Sequence, residues 1–212
     1  MSAARSAAEN RADVEEQVRV ASALRRAQTP TPVTGDLRFV AARVADGNVA
    51  AFREIVDRTR APMYRLAARL VGDLGEAEDA LQEAFVDAFR ALREGRYDGR
   101  SKVETWLYRI VTNACLDALR RRRESSQQEA REPRFDGLVT AEARVALGEL
   151  DALLADLPPQ ERAALVLVAV EGLSAKEAAS ALGCSEGAVE QRLVRARAAL
   201  RAKQGEKEVS RA

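Results

Sequence analysis

The stretch Gly172-Leu-Ser-Ala-Lys-Glu-Ala-Ala-Ser-Ala-Leu-Gly-Cys-Ser-Glu-Gly-Ala-Val-Glu-Gln-Arg-Leu193 decides how the chain is to be read. Ser174 with Glu177 three residues on forms a capping box that opens a short helix. Gly183 allows a tight left-handed turn, and Ser185 is a good N-cap for the helix that follows. On that second helix Val189 and Leu193 face inward, while Glu190, Gln191, Arg192, Arg195 and Arg197 project outward. Ala179 supplies the small residue needed at the helix crossing, so the stretch reads as a helix-turn-helix. The bland alternative is an αα-hairpin with a solvated charged face. Charge weighs against it: residues 190–203 carry five basic side chains and one acid, local net +4, and a row of arginines along one helix suits phosphate positioning.

Upstream, Ala163 to Val170 is the longest apolar run at eight residues. That is far short of the roughly 20 needed to cross a bilayer. Apolar almost all round, it reads alone equally as a buried strand or a helix; its place beside the helix-turn-helix favours the helix. Pro158-Pro159 ends a helix marked by Leu147, Leu150, Leu153 and Leu154 and pre-sets the first turn of the next. Residues 125–139 are polar, contain Pro133 and show no periodicity, so they are expected to be an interdomain linker. From Leu37 to Arg123 apolar residues recur at helical spacing, with breaks at Asp46-Gly-Asn48, Gly72–Gly75 and Gly95–Gly99. Pro62 is expected to kink or restart one of these helices. Ser101 with Glu104 predicts a capping box for the last. The expected organisation is a weakly ordered or short helical extension over 1–35, domains at 36–124 and 140–203 separated by the linker, and a tail at 204–212.

Composition points to the same class. Of 212 residues 47% are apolar, but only 4% are aromatic, which favours an all-α fold of two small helical domains over a strand-rich one. There is no histidine, the commonest general base and zinc ligand, and Cys115 and Cys184 alone cannot hold a metal. Catalysis, a metal and a cofactor are therefore not expected. The amino terminus leads into charge instead of an apolar signal segment, so cytoplasmic residence without membrane insertion is the expectation.

A balance of 34 basic against 33 acidic residues, net +1, argues against nucleic acid only until it is read locally. Residues 73–94 hold seven acids and two bases, whereas 109–123 hold five arginines and one acid. Asp79, Gln82, Glu83 and Asp87 share one helix face, opposite to or flanking Leu81, Phe85 and Phe89. Such a face suits a basic protein partner, though from charge alone a solvated acidic surface, the usual meaning of such spacing, is the favoured reading. Trp106 and Tyr108, Asn113 and Arg120 to Arg123 combine aromatic, amide and cationic groups on one helix, as single-stranded DNA requires. Core packing is an equal alternative for Trp106, and the terminal arginines also complement a helix dipole.

Together these segments resemble the extracytoplasmic-function sigma factors, which retain two helical domains called sigma-2 and sigma-4. The resemblance covers roughly 36–203. It rests on Ala77-Glu-Asp-Ala-Leu-Gln-Glu-Ala-Phe-Val-Asp-Ala-Phe-Arg-Ala-Leu92, on Thr105-Trp-Leu-Tyr-Arg-Ile-Val-Thr-Asn113 with its arginine tail, and on Leu157-Pro-Pro-Gln-Glu-Arg162 with the helix-turn-helix.

The resemblance implies a transcription initiation factor that performs no chemistry itself. It would bind core RNA polymerase through Asp79, Gln82, Glu83, Phe85 and Asp87 against the clamp helices of the largest subunit, with the flap of the second subunit as a further contact. Minus-ten DNA, melted and with a flipped base, falls to the Gly95–Ser101 loop and to Arg100, Lys102, Trp106, Arg109, Asn113, Arg120 and Arg121. Duplex minus-thirty-five DNA falls to Ser185, Glu186, Glu190, Gln191, Arg192, Arg195 and Arg197. An anti-sigma factor is an expected partner. Glu190 and Gln191 depart from the basic residue and serine common in the family, and Val103 replaces a frequent aromatic. The competing readings are a polymerase-independent helix-turn-helix regulator and a helical protein-interaction adaptor. Single buried thiols are the commoner reading of the two cysteines over redox sensors.

Overall fold

The structure, a computed structural model, describes residues 36–125 and 154–211. The expected 1–35 extension, the linker and most of the leucine-marked helix lie outside the described residues. Among the described residues every regular element is helical. The first unit comprises α1 (Leu37–Ala45), α2 (Val49–Val71), α3 (Leu74–Arg93) and α4 (Val103–Ser125). The second comprises α5 (Pro159–Leu165), a π-helical turn (Val166–Val170), α6 (Ala175–Leu182) and α7 (Glu186–Arg211). Helix α7 therefore runs through most of the expected tail, where Gln204, Glu206, Lys207 and Glu208 are good helix formers.

Local chemistry sets most boundaries. The side chains of Asp36, Asn48 and Asp73 accept backbone N–H bonds at the starts of α1, α2 and α3. Gly72, at φ +79°, closes α2 in the left-handed conformation that other residues resist. Pro62 does not restart the helix. Helix α2 continues through it, because the buried packing of Met63, Leu66 and Leu70 offsets a proline cost of roughly 3 kcal/mol. Ser101 is not the α4 cap, since the helix begins at Val103 and Trp106 N–H bonds back to the Lys102 carbonyl (3.0 Å). The Ser101 carbonyl instead accepts from the Tyr97 hydroxyl (2.6 Å), which folds the Gly95–Ser101 loop back on itself.

Helices α2, α3 and α4 pack on one another in all three pairings. Ala77, Ala80, Ala84, Ala88 and Ala91 form the buried stripe of α3, and side chains this small let helix axes approach toward the short end of the usual 8–10 Å. Leu81 and Leu92 are buried in the same apolar core as Ile55, Leu66, Leu107 and Val111. The apolar core runs without a break into the second unit, through Leu167, Ala178 and Val189.

Among the described residues, polar contacts cross between the units. The buried Arg162 guanidinium donates Nη1 to the Leu70 carbonyl in the last turn of α2 (2.8 Å), and Nη2 to the Ala155 and Leu157 carbonyls. It thereby satisfies an orphan carbonyl and places a cation at the negative end of the α2 dipole. Glu171 follows the π turn, where its N–H reaches back five residues to the Val166 carbonyl (2.9 Å). Its carboxylate pairs with Arg69 (3.5 Å) and accepts from the Tyr108 hydroxyl (2.9 Å).

The second unit shows both predicted helix starts. Ser174 Oγ accepts from Glu177 N–H, and the Glu177 carboxylate accepts from the Ser174 backbone N–H (2.9 Å) and hydroxyl. These bonds hold the Glu177 carboxyl below its ordinary value. A depressed folded-state pKa contributes stability above the carboxylate range and loses it as acid protonates the group. Ser174→Ala should thus cost about 1 kcal/mol at neutral pH and less in acid, measured by urea unfolding at both.

Candidate nucleic-acid and protein-docking surfaces

The helix-turn-helix is built as its sequence indicates. Gly183 adopts φ +61° between α6 and α7, and Ser185 Oγ accepts from Ala188 N–H (3.2 Å). Val189 and Leu193 are buried, whereas Ser185, Glu186, Glu190, Gln191, Arg195 and Arg197 are exposed. Two of the predicted arginine readers have intramolecular partners. Arg195 pairs with Glu161 of α5 (2.8 Å), a carboxylate with a mostly buried side chain. Arg192, half-buried, donates to the Cys184 sulfur in the turn (3.2 Å). Glu161 thus orients Arg195, which no local pattern announces because the residues lie 34 apart. Sequence reasoning also passed over Val194, 62% exposed and one turn beyond Glu190 and Gln191. An exposed apolar side chain there suits a thymine methyl.

In the first unit, Arg109 and Asn113 are exposed on α4, as are Arg120 and Arg121. Trp106 is half-buried and stacks at a tilt on Tyr97 of the loop, with ring centroids 5.0 Å apart. Tyr97 was missed by the spacing argument. The tyrosine within the Gly95–Gly99 break was the available signal, and the ring pair makes the loop part of one surface with α4. Arg100 is exposed and tethered to Asp98, while Lys102 is exposed at the helix start.

The acidic face of α3 presents Asp79, Gln82, Glu83 and Asp87 to solvent. Phe85 does not join them. It turns inward, partly buried, edge-on to Phe52 of α2 at 6.4 Å, because the helical spacing that unites 79, 82, 83 and 87 sends 85 to the opposite side. The apolar member of the exposed face is instead Val86, 49% exposed. Glu83 bonds to Arg121 (2.9 Å), and Glu76 to Arg122 (3.2 Å), so the two oppositely charged helices are stitched edge to edge. A predicted polymerase contact and a predicted DNA contact therefore meet each other.

Among the described residues no His, Cys, Asp and Glu cluster could hold a metal, and no helix is long and apolar enough to cross a membrane. Cys115 is fully buried, and burial pushes its thiol up to about 12.

The sigma-70 region 2 family model matches residues 55–125 and the sigma-70 region 4 model residues 147–200. The ECF RNA polymerase sigma factor SigM of Mycobacterium tuberculosis is 38% identical over 165 residues, covering 78% of this chain and 82% of the relative. The chain belongs to the extracytoplasmic-function sigma factors. SigW of Bacillus subtilis is 34% identical over 173 residues, 75% of this chain and 91% of SigW. The structure of CnrH, solved with the cytosolic domain of CnrY, superposes with a TM-score of 0.61 at 31% identity, covering 81% of this sigma factor and 99% of that chain. CnrH is an RNA polymerase sigma factor of Cupriavidus metallidurans.

This sigma factor is thus a promoter-specific transcription initiation factor that binds RNA polymerase. Its α3 and α4 lie within the region 2 match, and its helix-turn-helix within the region 4 match. Under native conditions at mildly alkaline pH, a maleimide should modify Cys184 and spare Cys115. Mass spectrometry should find both labelled only after denaturation.

Proposed function

We propose that α4 with the Gly95–Ser101 loop handles the minus-ten element and that α7 reads the minus-thirty-five element, while the α3 face docks on core polymerase. The observation that carries the first assignment is the Tyr97–Trp106 pair beside exposed Arg109 and Asn113. Aromatic rings offer stacking to unpaired bases, worth about 1–3 kcal/mol each. The amide reads a base edge, and Arg100, Lys102, Arg120 and Arg121 supply backbone charge.

On α7, Glu190 accepts from cytosine N4, Gln191 addresses adenine, and Arg197 with Arg195 and Arg192 serves bases or phosphates. Ser185 and Glu186 lie at the amino end of the recognition helix, where backbone N–H groups are oriented toward phosphate. On α3, Asp79, Gln82, Glu83 and Asp87 ring Val86, an acidic rim around an apolar centre suited to a basic helical surface such as the clamp helices; the flap is the proposed second contact, for the sigma-4 unit. Phe85 supports the helix from beneath. The protein carries no chemistry of its own, and acts in the cytoplasm where polymerase is. An anti-sigma partner belongs to the same proposal, in keeping with CnrH having been solved with the cytosolic domain of CnrY.

Sigma-free core polymerase supplemented with the protein should initiate specific transcripts and open the minus-ten region to permanganate. Gln82→Ala with Glu83→Ala should weaken core binding about ten-fold or more. No core binding and no transcript from any candidate promoter would overturn the reading. Glu190→Lys should change the minus-thirty-five preference in binding-site selection, with about 1–3 kcal/mol of discrimination lost at one base pair.

A further inference from the structure

Among the arginines of the recognition helix, Arg195 is held in a way the others are not. Its Nε donates to Glu161 Oε1 at 2.8 Å, with side-chain exposures of 58% for the arginine and 15% for the glutamate. Glu161 stands in the first turn of α5, which packs on α7, so the acceptor is carried by a helix rooted against the recognition helix. A carboxylate this far removed from water is costly to leave unpaired, and that cost keeps the arginine on it. Arg192 donates instead to the Cys184 sulfur, and exposed Arg197 meets no carboxylate among the described residues.

The choice of nitrogen matters. A guanidinium carries five N–H donors in a planar fork, and engagement through Nε leaves donors on both terminal nitrogens available as an end-on pair. That pair matches the O6 and N7 acceptors of guanine in the major groove, the commonest specific arginine contact. Arg195 follows Gln191 by one turn and shares its side of α7. The pairing also changes what the cation attracts. Phosphate draws an unpaired guanidinium whatever the sequence, but beside Glu161 the charge is offset, and an approaching phosphate meets the carboxylate as well. A base edge carries no formal charge and brings no such repulsion.

We propose that Glu161 is a positioning residue for sequence readout: it holds Arg195 by Nε so that the terminal nitrogens bind guanine O6 and N7 in the minus-thirty-five element, and it withholds the guanidinium from phosphates. The inference rests on the proposed placement of α7 in that element and assigns one of its bases. Glu161 also complements the amino end of α5, a purely structural task that would leave base preference untouched.

The test uses core polymerase reconstituted with the full chain, and binding-site selection from duplexes randomised across the upstream element. The parent should select guanine at one position, and Arg195→Ala should lose that preference. Arg195→Lys, which keeps the charge without the fork, should lose it too. Glu161→Ala should lower the preference for guanine over other bases about ten-fold, while duplexes with another base there bind as before or more tightly. Glu161→Gln, whose amide oxygen still accepts from Nε, should keep an intermediate preference. Replacing that guanine by 7-deazaguanine, which lacks the N7 acceptor, should cost the parent about five-fold and the Glu161→Ala protein less. Glu161→Met, close in volume and without a carboxylate, should behave as the alanine variant does and decides the matter if that variant fails to fold.

If loss of the Glu161 carboxylate weakens binding to all duplexes alike, with the guanine preference and the 7-deazaguanine penalty intact, the positioning role is overturned and Arg195 stands as a reader. An Arg195→Ala protein that still selects every base the parent selects would remove the guanine assignment. A parent that binds core yet selects no upstream sequence would overturn the placement of α7, and this inference with it.

Discussion

Close approach of α3 to its neighbours is the constraint on which the rest of the first unit depends. Five alanines line the buried stripe of α3, and each larger side chain there would push α2 or α4 outward. Because the helices sit close, the short reach of a glutamate and an arginine suffices to join Glu83 to Arg121 and Glu76 to Arg122. The same packing fixes the direction in which α3 presents its carboxylates and α4 its arginines. Electrostatic opposition on the outside is thus a product of apolar smallness on the inside.

Net charge near zero follows from this division of labour. Exposed ion pairs contribute little to stability, typically under about 1 kcal/mol, so Arg121–Glu83 matters more for where the guanidinium group is held than for folding. An arginine already oriented loses less side-chain freedom when it meets a phosphate or a base. Exchange of one carboxylate partner for another anion is also cheap when both are exposed to water.

What could be read from sequence depended on the range of the interaction. The Ser174–Glu177 box, the Gly183 turn and the Ser185 cap each involve residues at most three apart, and all three are present. Ser101 failed as a cap because the Tyr97 hydroxyl bonds to its carbonyl and the helix starts two residues later, a choice made by a loop with aromatic packing. Phe85 was put among the polymerase contacts by family resemblance, whereas helical spacing set it opposite to or flanking the acidic face, and its ring lies partly buried against Phe52. Pro62 looked like a boundary until the packing around it was known. Arg162 and Glu171 carried no signal at all, since their partners lie 92 and 63 residues away. Leu157-Pro-Pro-Gln-Glu-Arg162 was legible as a family motif, but the task of its arginine was not.

The π turn at Val166–Val170 is where periodicity alone could not separate strand from helix, and its geometry has a consequence for angular phase. Reaching back five residues instead of four accommodates one extra residue without ending the helix. Since successive α-helical residues differ by about 100°, that one residue rotates everything after it by more than a quarter of a circle. Glu171 owes its aim at Arg69 and Tyr108 to this offset, and Gly172 then redirects the chain toward α6. The interval between Arg162 and Glu171 is therefore as much a part of the interface as either side chain: shortening it by one residue keeps every contact atom in the sequence and points the carboxylate elsewhere.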